Sequence, residues 1–186
     1  CVSAFGRIPD AAKTVSADFK ATGSHIVLFG YRDTKEMAGS VYCQIHDDLG
    51  NNLPRINPDN LMRVLKTLYH AVGSGKLQAC HDISEGGLAA ALAEMCFGGD
   101  TGAVINIPED EDAVNFLFNE TAGCFLAEVS AGLNPAAIFG DIPCRIIGVT
   151  STDKSITVKQ SEEELFTLEL GELKTAWQQP MKEVFR

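Results

Sequence analysis

The sequence predicts an α/β (α+β) domain built as a layered α-β sandwich. Strand-like apolar runs and amphipathic helical segments are mixed along the 186 residues without strict alternation, and the first four strand-like runs follow one another with no helix between them. A doubly wound sheet would instead alternate the two kinds of element. Hydrophobic residues make up 45% of the chain, enough for one core. We therefore predict a single domain over residues 1–186.

The strand predictions rest on short runs of β-branched and aromatic residues bounded by glycine, proline or aspartate. The predicted strands cover residues 2–8, 15–19, 25–31, 40–45, 77–80, 103–107, 124–129, 144–149, 155–159 and 165–168. The opening run starts in mid-strand and has no Met before it, so we expect the chain to be cut from a larger protein. Residues 1–17 are interpreted as an arm that pairs with a neighbour.

The helix predictions rest on apolar residues that recur three or four positions apart. One amphipathic helix opens at Pro58 and ends at the glycines on either side of Ser74. A second begins after the pair Gly86 and Gly87 and ends near Gly98. Further helical segments are predicted over residues 110–118, 134–139 and 171–184.

Charge and composition exclude several classes of protein. A net charge of −10 disfavours nucleic-acid binding, because an acidic surface repels a phosphate backbone. The apolar stretches are too short to cross a bilayer, so no membrane association is predicted. The six cysteines form no closely spaced pair, which disfavours a zinc knuckle or a redox motif. Free core cysteines and no signal peptide indicate a cytoplasmic protein.

The segment over residues 76–99 is the one that suggests chemistry. A predicted strand is followed by Asp82, Ser84 and Glu85, and then by Gly86 and Gly87 at the start of a helix. Helix-start amides have no intrahelical acceptor, and glycine lets an anion come close. Asp82 and Glu85 are candidate Mg²⁺ ligands, since this cation prefers one or two carboxylates together with substrate phosphates. Ser84 is a candidate donor to a nucleotide oxygen.

A purely structural interpretation of this segment stays open. The side chain of Asp82 or Ser84 would then cap the helix, and the two glycines would only permit tight packing of helix on strand. The spacing matches neither a Walker motif nor a dinucleotide fingerprint. The residues alone therefore do not name a ligand.

Residues 81–95, HDISEGGLAAALAEM, closely resemble the HD-x-S-[DE]-GGL-x-x-x-LAEM segment of phosphoribosylformylglycinamidine synthases. Residues 36–42, EMAGSVY, are similar to that family's ELGGS-x-Y loop. Residues 118–125, FNETAGCF, are similar to its F-[SN]-E-[ST]-x-x-RF turn, and residues 1–20 resemble its lead-in. These segments span most of the chain, and the fifteen-residue segment is the most specific of them.

The resemblance implies the fold of the C-terminal domain of aminoimidazole ribonucleotide synthetase. It implies a part in a ligase that converts formylglycinamide ribonucleotide, glutamine and ATP to formylglycinamidine ribonucleotide, glutamate, ADP and phosphate. In the long form of that family Asp82 falls on a Mg²⁺ ligand and Ser84 on a nucleotide contact. Both roles agree with the interpretation of the residues, in which the helix start at Gly86 and Gly87 supplies backbone donors. No catalytic residue is assigned, and the domain alone is expected to be inactive.

The implied partners are preceding ATP-binding synthetase domains and a glutaminase domain or subunit. The end of the chain, with Trp177, resembles the single-chain form of the enzyme, in which the glutaminase follows. Other members of the superfamily remain alternatives: thiamine-monophosphate kinase, selenophosphate synthetase and hydrogenase-maturation proteins. A non-catalytic structural domain is a further alternative.

Three residues depart from the family pattern. Cys124 stands where an arginine is frequent, which removes a cation that would bind phosphate. Ala38 replaces the first glycine of the loop, and Glu85 replaces an aspartate. His81 has no role carried over, and a structural histidine bonded to the backbone is the favoured interpretation.

Overall fold

A computed structural model describes residue 3 and residues 5–184. Its centre is a seven-stranded sheet in the order β2-β4-β1-β5-β3-β6-β7. The strands are β1 His25–Phe29, β2 Ala79–Asp82, β3 Gly102–Ile107, β4 Phe125–Val129, β5 Cys144–Ser151, β6 Ser155–Gln160 and β7 Glu163–Glu169. The pair β3 and β6 is parallel, and the other neighbouring pairs are antiparallel.

Helices lie on both faces of this sheet, so the predicted layered sandwich is confirmed. They are α1 Val41–Ile45, α2 Pro58–Gly73, α3 Gly87–Gly99, α4 Ala113–Phe118, α5 Pro135–Phe139 and α6 Leu170–Val184, with a 3₁₀ turn at Ala11–Lys13. Helices α3 and α4 and the start of α6 pack on one face, and α2 and α5 on the other. No helix among the described residues is long and apolar enough to cross a membrane.

The two faces of the sheet have separate hydrophobic cores, because successive strand residues point to opposite sides. Ile26 belongs to the core under α3, whereas its neighbour Val27 belongs to the core under α2. Leu126 likewise belongs to the core under α3, and Ala127 belongs to the core under α2. On the α2 side, Phe29 stacks on the ring of Phe139 with 4.2 Å between the ring centroids.

The structure corrects three strand predictions. Residues 40–45 form helix α1, because the Ser40 side chain accepts the Cys43 N–H at 3.2 Å and so caps a helical turn. Residues 5–8 and 15–19 have no strand partner among the described residues and form no ladder. Residues 2 and 4 of the predicted 2–8 strand lie outside the described part of the chain.

A buried carboxylate attaches the lead-in to the sheet. Glu128 on β4 is fully buried, and its carboxylate accepts the N–H of Lys20 at 2.6 Å and that of Ala21 at 2.9 Å. A buried charge is tolerated when donors satisfy its oxygens, as these two amides do. Before residue 16 the lead-in is mostly exposed, and Phe5 is 98% exposed.

Candidate functional site

The predicted strand–turn–helix is present. Strand β2 ends at Asp82, and the buried Ile83 donates its N–H to the Cys124 carbonyl at 2.9 Å. Ser84 and Glu85 are exposed, and α3 then begins at Gly87. The four predicted site residues therefore lie in one turn at the end of a strand, with the side chains of Asp82 and Ser84 open to solvent.

The two glycines are required by the backbone. Gly86 has φ 80° and Gly87 has φ 68°, both in the left-handed region that side chains disfavour. A Cβ on Gly87 would lie 2.7 Å from the Leu117 carbonyl oxygen. Tight packing, one half of the structural interpretation, is therefore confirmed for Gly87.

The capping half of that interpretation is wrong. The N-cap position of α3 is Gly86, and no side chain caps the helix, so neither Asp82 nor Ser84 serves this purpose. Gly87 donates its N–H to the Ser84 carbonyl at 3.0 Å, and Gly86 donates to Glu120 Oε1 at 2.8 Å. The amides of both glycines are thus hydrogen-bonded within the chain. Within the described hydrogen bonds, the helix-start amides without an acceptor are those of Leu88 and Ala89.

Glu120 joins two distant helix starts, and no local pattern of residues singled it out. Its Oε1 accepts the N–H of Gly86 at 2.8 Å and also that of Val41 at 2.9 Å. One carboxylate oxygen therefore connects the turn before α3 to the first residue of α1. The only signal in the sequence was the position of Glu120 within the FNETAGCF segment.

Asn119 connects its own segment to the loop before α1. This fully buried side chain donates through Nδ2 to the carbonyl oxygens of Asp33 at 2.6 Å and Glu36 at 2.7 Å. Its Oδ1 accepts from the Thr121 hydroxyl at 2.6 Å. Three of the four segments that carry the family resemblance, over residues 36–42, 81–95 and 118–125, are thus brought together in space by Asn119 and Glu120.

His81 is a structural residue, as favoured. Its Nδ1 lies 2.7 Å from the Asp82 carbonyl oxygen and its Nε2 lies 2.9 Å from Glu94 Oε2. Both ring nitrogens of His81 thus lie within hydrogen-bond distance of an oxygen atom. Glu94 also accepts the indole N–H of Trp177 at 3.1 Å, which ties helix α6 to this histidine.

The donor set around Asp82 fits Mg²⁺ better than a metal held entirely by protein. No group of three or more His, Cys, Asp or Glu side chains within the described residues is arranged to hold a metal ion. The Asp82 carboxylate is 62% exposed and lies 3.4 Å from His81 Nδ1. A single open carboxylate suits a cation that takes its other ligands from phosphates and water.

A large groove opens beside this carboxylate. It has a volume of about 850 Å³ and runs between the lead-in, helix α2 and the adjoining ends of β2 and β4. Asp82 and Phe125 line its sheet side, and Arg7, Lys13 and His70 line the opposite walls. The groove is large enough for a nucleotide-sized ligand and carries cationic side chains as well as Asp82.

Cys124 lies in the interior. It is 1% exposed, and burial raises the pKa of its thiol to about 11 although the Arg32 guanidinium opposes this shift. Position 124 therefore supplies a neutral core side chain, as expected from the replacement of the frequent arginine.

Residues 21–160 match the family of the AIR synthase related protein, C-terminal domain. The chain belongs to this family. The matched range includes β1 to β6 and the whole turn from Asp82 to Gly87. The resemblance on which the sequence interpretation rested is therefore confirmed, together with the fold that it implies.

Sequence relatives of this AIR synthase related domain are phosphoribosylformylglycinamidine synthase subunits PurL. The subunit from Streptomyces avermitilis is 35% identical over 183 residues, which cover 94% of this chain and 23% of that protein. The subunit from Synechocystis is 30% identical over 181 residues, covering 93% of this chain and 24% of that protein. The chain spans about a quarter of the length of these relatives.

Solved structures share the fold at low sequence identity. Thermotoga maritima PurL complexed with FGAR has a TM-score of 0.75 at 14% identity, covering 88% of this chain and 30% of that one. The same protein complexed with ATP has a TM-score of 0.71 at 15% identity, covering 87% of this chain and 27% of that one. The hydrogenase maturation protein HypE in complex with ATP has a TM-score of 0.54 at 17% identity, covering 83% of this chain and 53% of that one. The AIR synthase related fold is thus shared with one of the alternatives considered above.

Proposed function

We propose that this domain forms one wall of a Mg²⁺-nucleotide site in a PurL-type ligase that makes formylglycinamidine ribonucleotide. The observation that carries the proposal is the turn Asp82–Gly87 at the end of β2, in which Asp82 and Ser84 are exposed and Asp82 lines the 850 Å³ groove. Relatives named as PurL across nearly the whole chain favour this enzyme over the other superfamily members.

In this proposal Asp82 ligates Mg²⁺ and Ser84 donates its hydroxyl to a phosphate oxygen. Gly86, which is partly exposed, presents backbone without a side chain to a ligand, whereas the buried Gly87 sets the position of the helix start through its close packing on α4. The free amides of Leu88 and Ala89 supply the positive end of α3, which favours an anion. The cation, when bound, neutralises phosphate charge. The reacting amide and the ammonia source belong to other parts of the enzyme.

The proposed partners follow from the short length of this chain relative to its relatives. Preceding ATP-binding synthetase domains would close the groove beside Asp82, and a glutaminase domain or subunit would supply ammonia. A structural neighbour described as PurLQS from Thermotoga maritima is consistent with such an assembly. The domain alone is expected to lack ligase turnover.

The test is Mg·ADP binding by the complete protein that carries this domain, measured by isothermal titration calorimetry. Asp82→Asn removes one anionic ligand, so we expect the Kd for Mg·ADP to rise about tenfold or more, roughly 1.4 kcal/mol. Binding of ADP without Mg²⁺ should change little.

Asp110→Asn is the matched control, because Asp110 is also an exposed aspartate and makes no side-chain hydrogen bond or ion pair within the described residues. An Asp82→Asn protein that binds Mg·ADP as the control does would refute the metal site. That outcome would favour the structural alternative, in which the turn binds nothing.

A further inference from the structure

Arg32 is a buried cation with unsatisfied donors. Its Nη2 donates to the carbonyl oxygens of Phe116 at 2.5 Å and Asn119 at 3.4 Å, and its guanidinium carbon lies 5.1 Å from the centroid of the Phe116 ring. The Nε and Nη1 atoms are buried and have no hydrogen-bond partner among the described residues. Removing such donors from water without an acceptor is costly.

Within the described residues no carboxylate forms an ion pair with this charge, although Glu111 is close enough to attract it. Among the ion pairs of the described residues, none involves Arg32. Burial lowers the pKa of the guanidinium, and the nearby Cys124 and Glu111 side chains oppose this shift to a smaller extent. A buried guanidinium normally has an anionic partner in direct contact, and the part of the chain that the structure describes provides no such ion pair for Arg32.

The Arg32 side chain lines an open concavity of about 370 Å³, separate from the groove at Asp82. Arg145, from the start of β5, lines the same concavity and is exposed, and it too forms no ion pair within the described residues. The Thr34 hydroxyl is on the wall as well. This concavity is thus lined by two guanidinium groups that form no ion pair within the described residues, by a threonine and by one carboxylate, that of Glu111, in a protein of net charge −10.

We propose that this concavity, lined by Arg32, Thr34 and Arg145, binds a phosphate group. Guanidinium groups match the oxygens of phosphate by paired, charge-assisted hydrogen bonds. The unsatisfied donors of Arg32 are then the inner contacts, reached after a small side-chain adjustment, and Arg145 closes on the outer oxygens. The volume exceeds that of a phosphate alone, so the ligand class is a small phosphate ester. The proposal stands independently of the function proposed for the Asp82 turn.

Inorganic phosphate is the probe, titrated into the chain at constant ionic strength with chloride as the balancing anion. Binding to the native state raises the melting temperature. Phosphate should stabilise the protein more than chloride and more than acetate. Equal stabilisation by phosphate and chloride would overturn the site, and stronger stabilisation by acetate would overturn its assignment to phosphate.

Arg32→Gln should weaken phosphate binding by about tenfold or more, the effect of losing one charge-assisted pair. Arg55→Gln is the control, because Arg55 is exposed and lies outside the concavity. An unchanged Kd in Arg32→Gln would overturn the proposal. If that variant does not fold, Arg145→Gln at the exposed position carries the test: its Kd should rise several-fold, and an unchanged Kd overturns the proposal equally.

A substitution of Glu111 tests whether the anionic partner of Arg32 is this carboxylate or a bound phosphate. Glu111 lines the same concavity, so Glu111→Gln removes a repulsive charge and should tighten phosphate binding. Weaker phosphate binding in Glu111→Gln would show that Glu111 supports Arg32 directly, and would overturn the assignment of phosphate as its partner.

Discussion

At the scale of single residues, Glu120 and Asn119 hold the candidate site in place through hydrogen bonds to backbone groups of distant segments. The exposed residues of the candidate site were easier to identify from the sequence. Asp82 and Ser84 stood out because polar side chains directly after a buried strand are unusual. Glu120 and Asn119 did not, because their partners are backbone groups up to 86 positions away in the chain, such as the Asp33 carbonyl. No local pattern encodes a hydrogen bond to a distant amide.

Glu120→Ala should be markedly destabilising, because it leaves the amides of Gly86 and Val41 without their shared acceptor. Each bond involves a charged oxygen, so we expect a loss of about 2–3 kcal/mol in the free energy of unfolding. Urea denaturation measures it. Glu120→Gln keeps an acceptor and should lose less. Glu109→Ala, at an exposed position, should be near neutral. A Glu120→Ala protein as stable as Glu109→Ala would contradict this role.

At the scale of elements, most helices and strands were predictable because their apolar periodicity is strong. Helix α2 was predicted from its first residue, Pro58, and its N-cap Asn57 accepts the amides of Asp59 and Asn60. Residues 40–45 were assigned wrongly because five residues are too few to separate a helical from a strand period. The Ser40 side chain and Glu120 decide the outcome there, and the second of these is a tertiary contact.

The start of α3 gives a prediction at this scale. Gly87→Ala puts a Cβ 2.7 Å from the Leu117 carbonyl oxygen at a residue with φ 68°, so packing and backbone strain act together. We expect a loss of about 2–4 kcal/mol, measured by urea denaturation. Gly73→Ala is the matched control: a Cβ there meets nothing within 4 Å, and the helical residue should gain about 0.5–1 kcal/mol. Equal effects at the two positions would contradict the close approach of α3 and α4.

At the scale of the whole molecule, the layered fold was predictable but the order of the strands was not. Strands β1 and β4 are neighbours in the sheet although they lie about a hundred residues apart in the chain. Strand β3 lies between β5 and β6, and it pairs in parallel with β6. Such pairings depend on how all the helices and strands pack together, and no single segment of the sequence contains that information. For the same reason, the sequence could show that the lead-in has a strand-like composition. It could not show that the lead-in pairs with no strand among the described residues.

The buried thiols make the stability of the whole domain depend on pH. Burial raises the pKa of Cys96 to about 12 and that of Cys124 to about 11. In the unfolded chain both thiols lose protons above about pH 8.5. Between there and pH 11 the unfolded state therefore binds fewer protons, and the free energy of unfolding falls as pH rises.

The expected slope is about 1.4 kcal/mol per pH unit for each thiol. It is measured by urea denaturation at several pH values between 8 and 10. The double variant Cys96→Ala and Cys124→Ala should show a shallower decline over this range, since other titrating groups contribute equally to both proteins. Parallel declines would contradict the assignment to these thiols.

The attachment of the lead-in through Glu128 has a mechanical consequence. Both amides bind a side chain on β4, which is flanked by β2 and β1, and the Ser16 carbonyl oxygen also accepts the N–H of Cys80 on the edge strand β2 at 3.1 Å. Tension applied at the beginning of the domain is therefore delivered to an edge strand and an inner strand together. An inner strand yields only when two ladders give way at once. A neighbouring module joined at this point would thus be coupled stiffly to the centre of the sheet, and its displacements would reach the strand that ends beside Asp82.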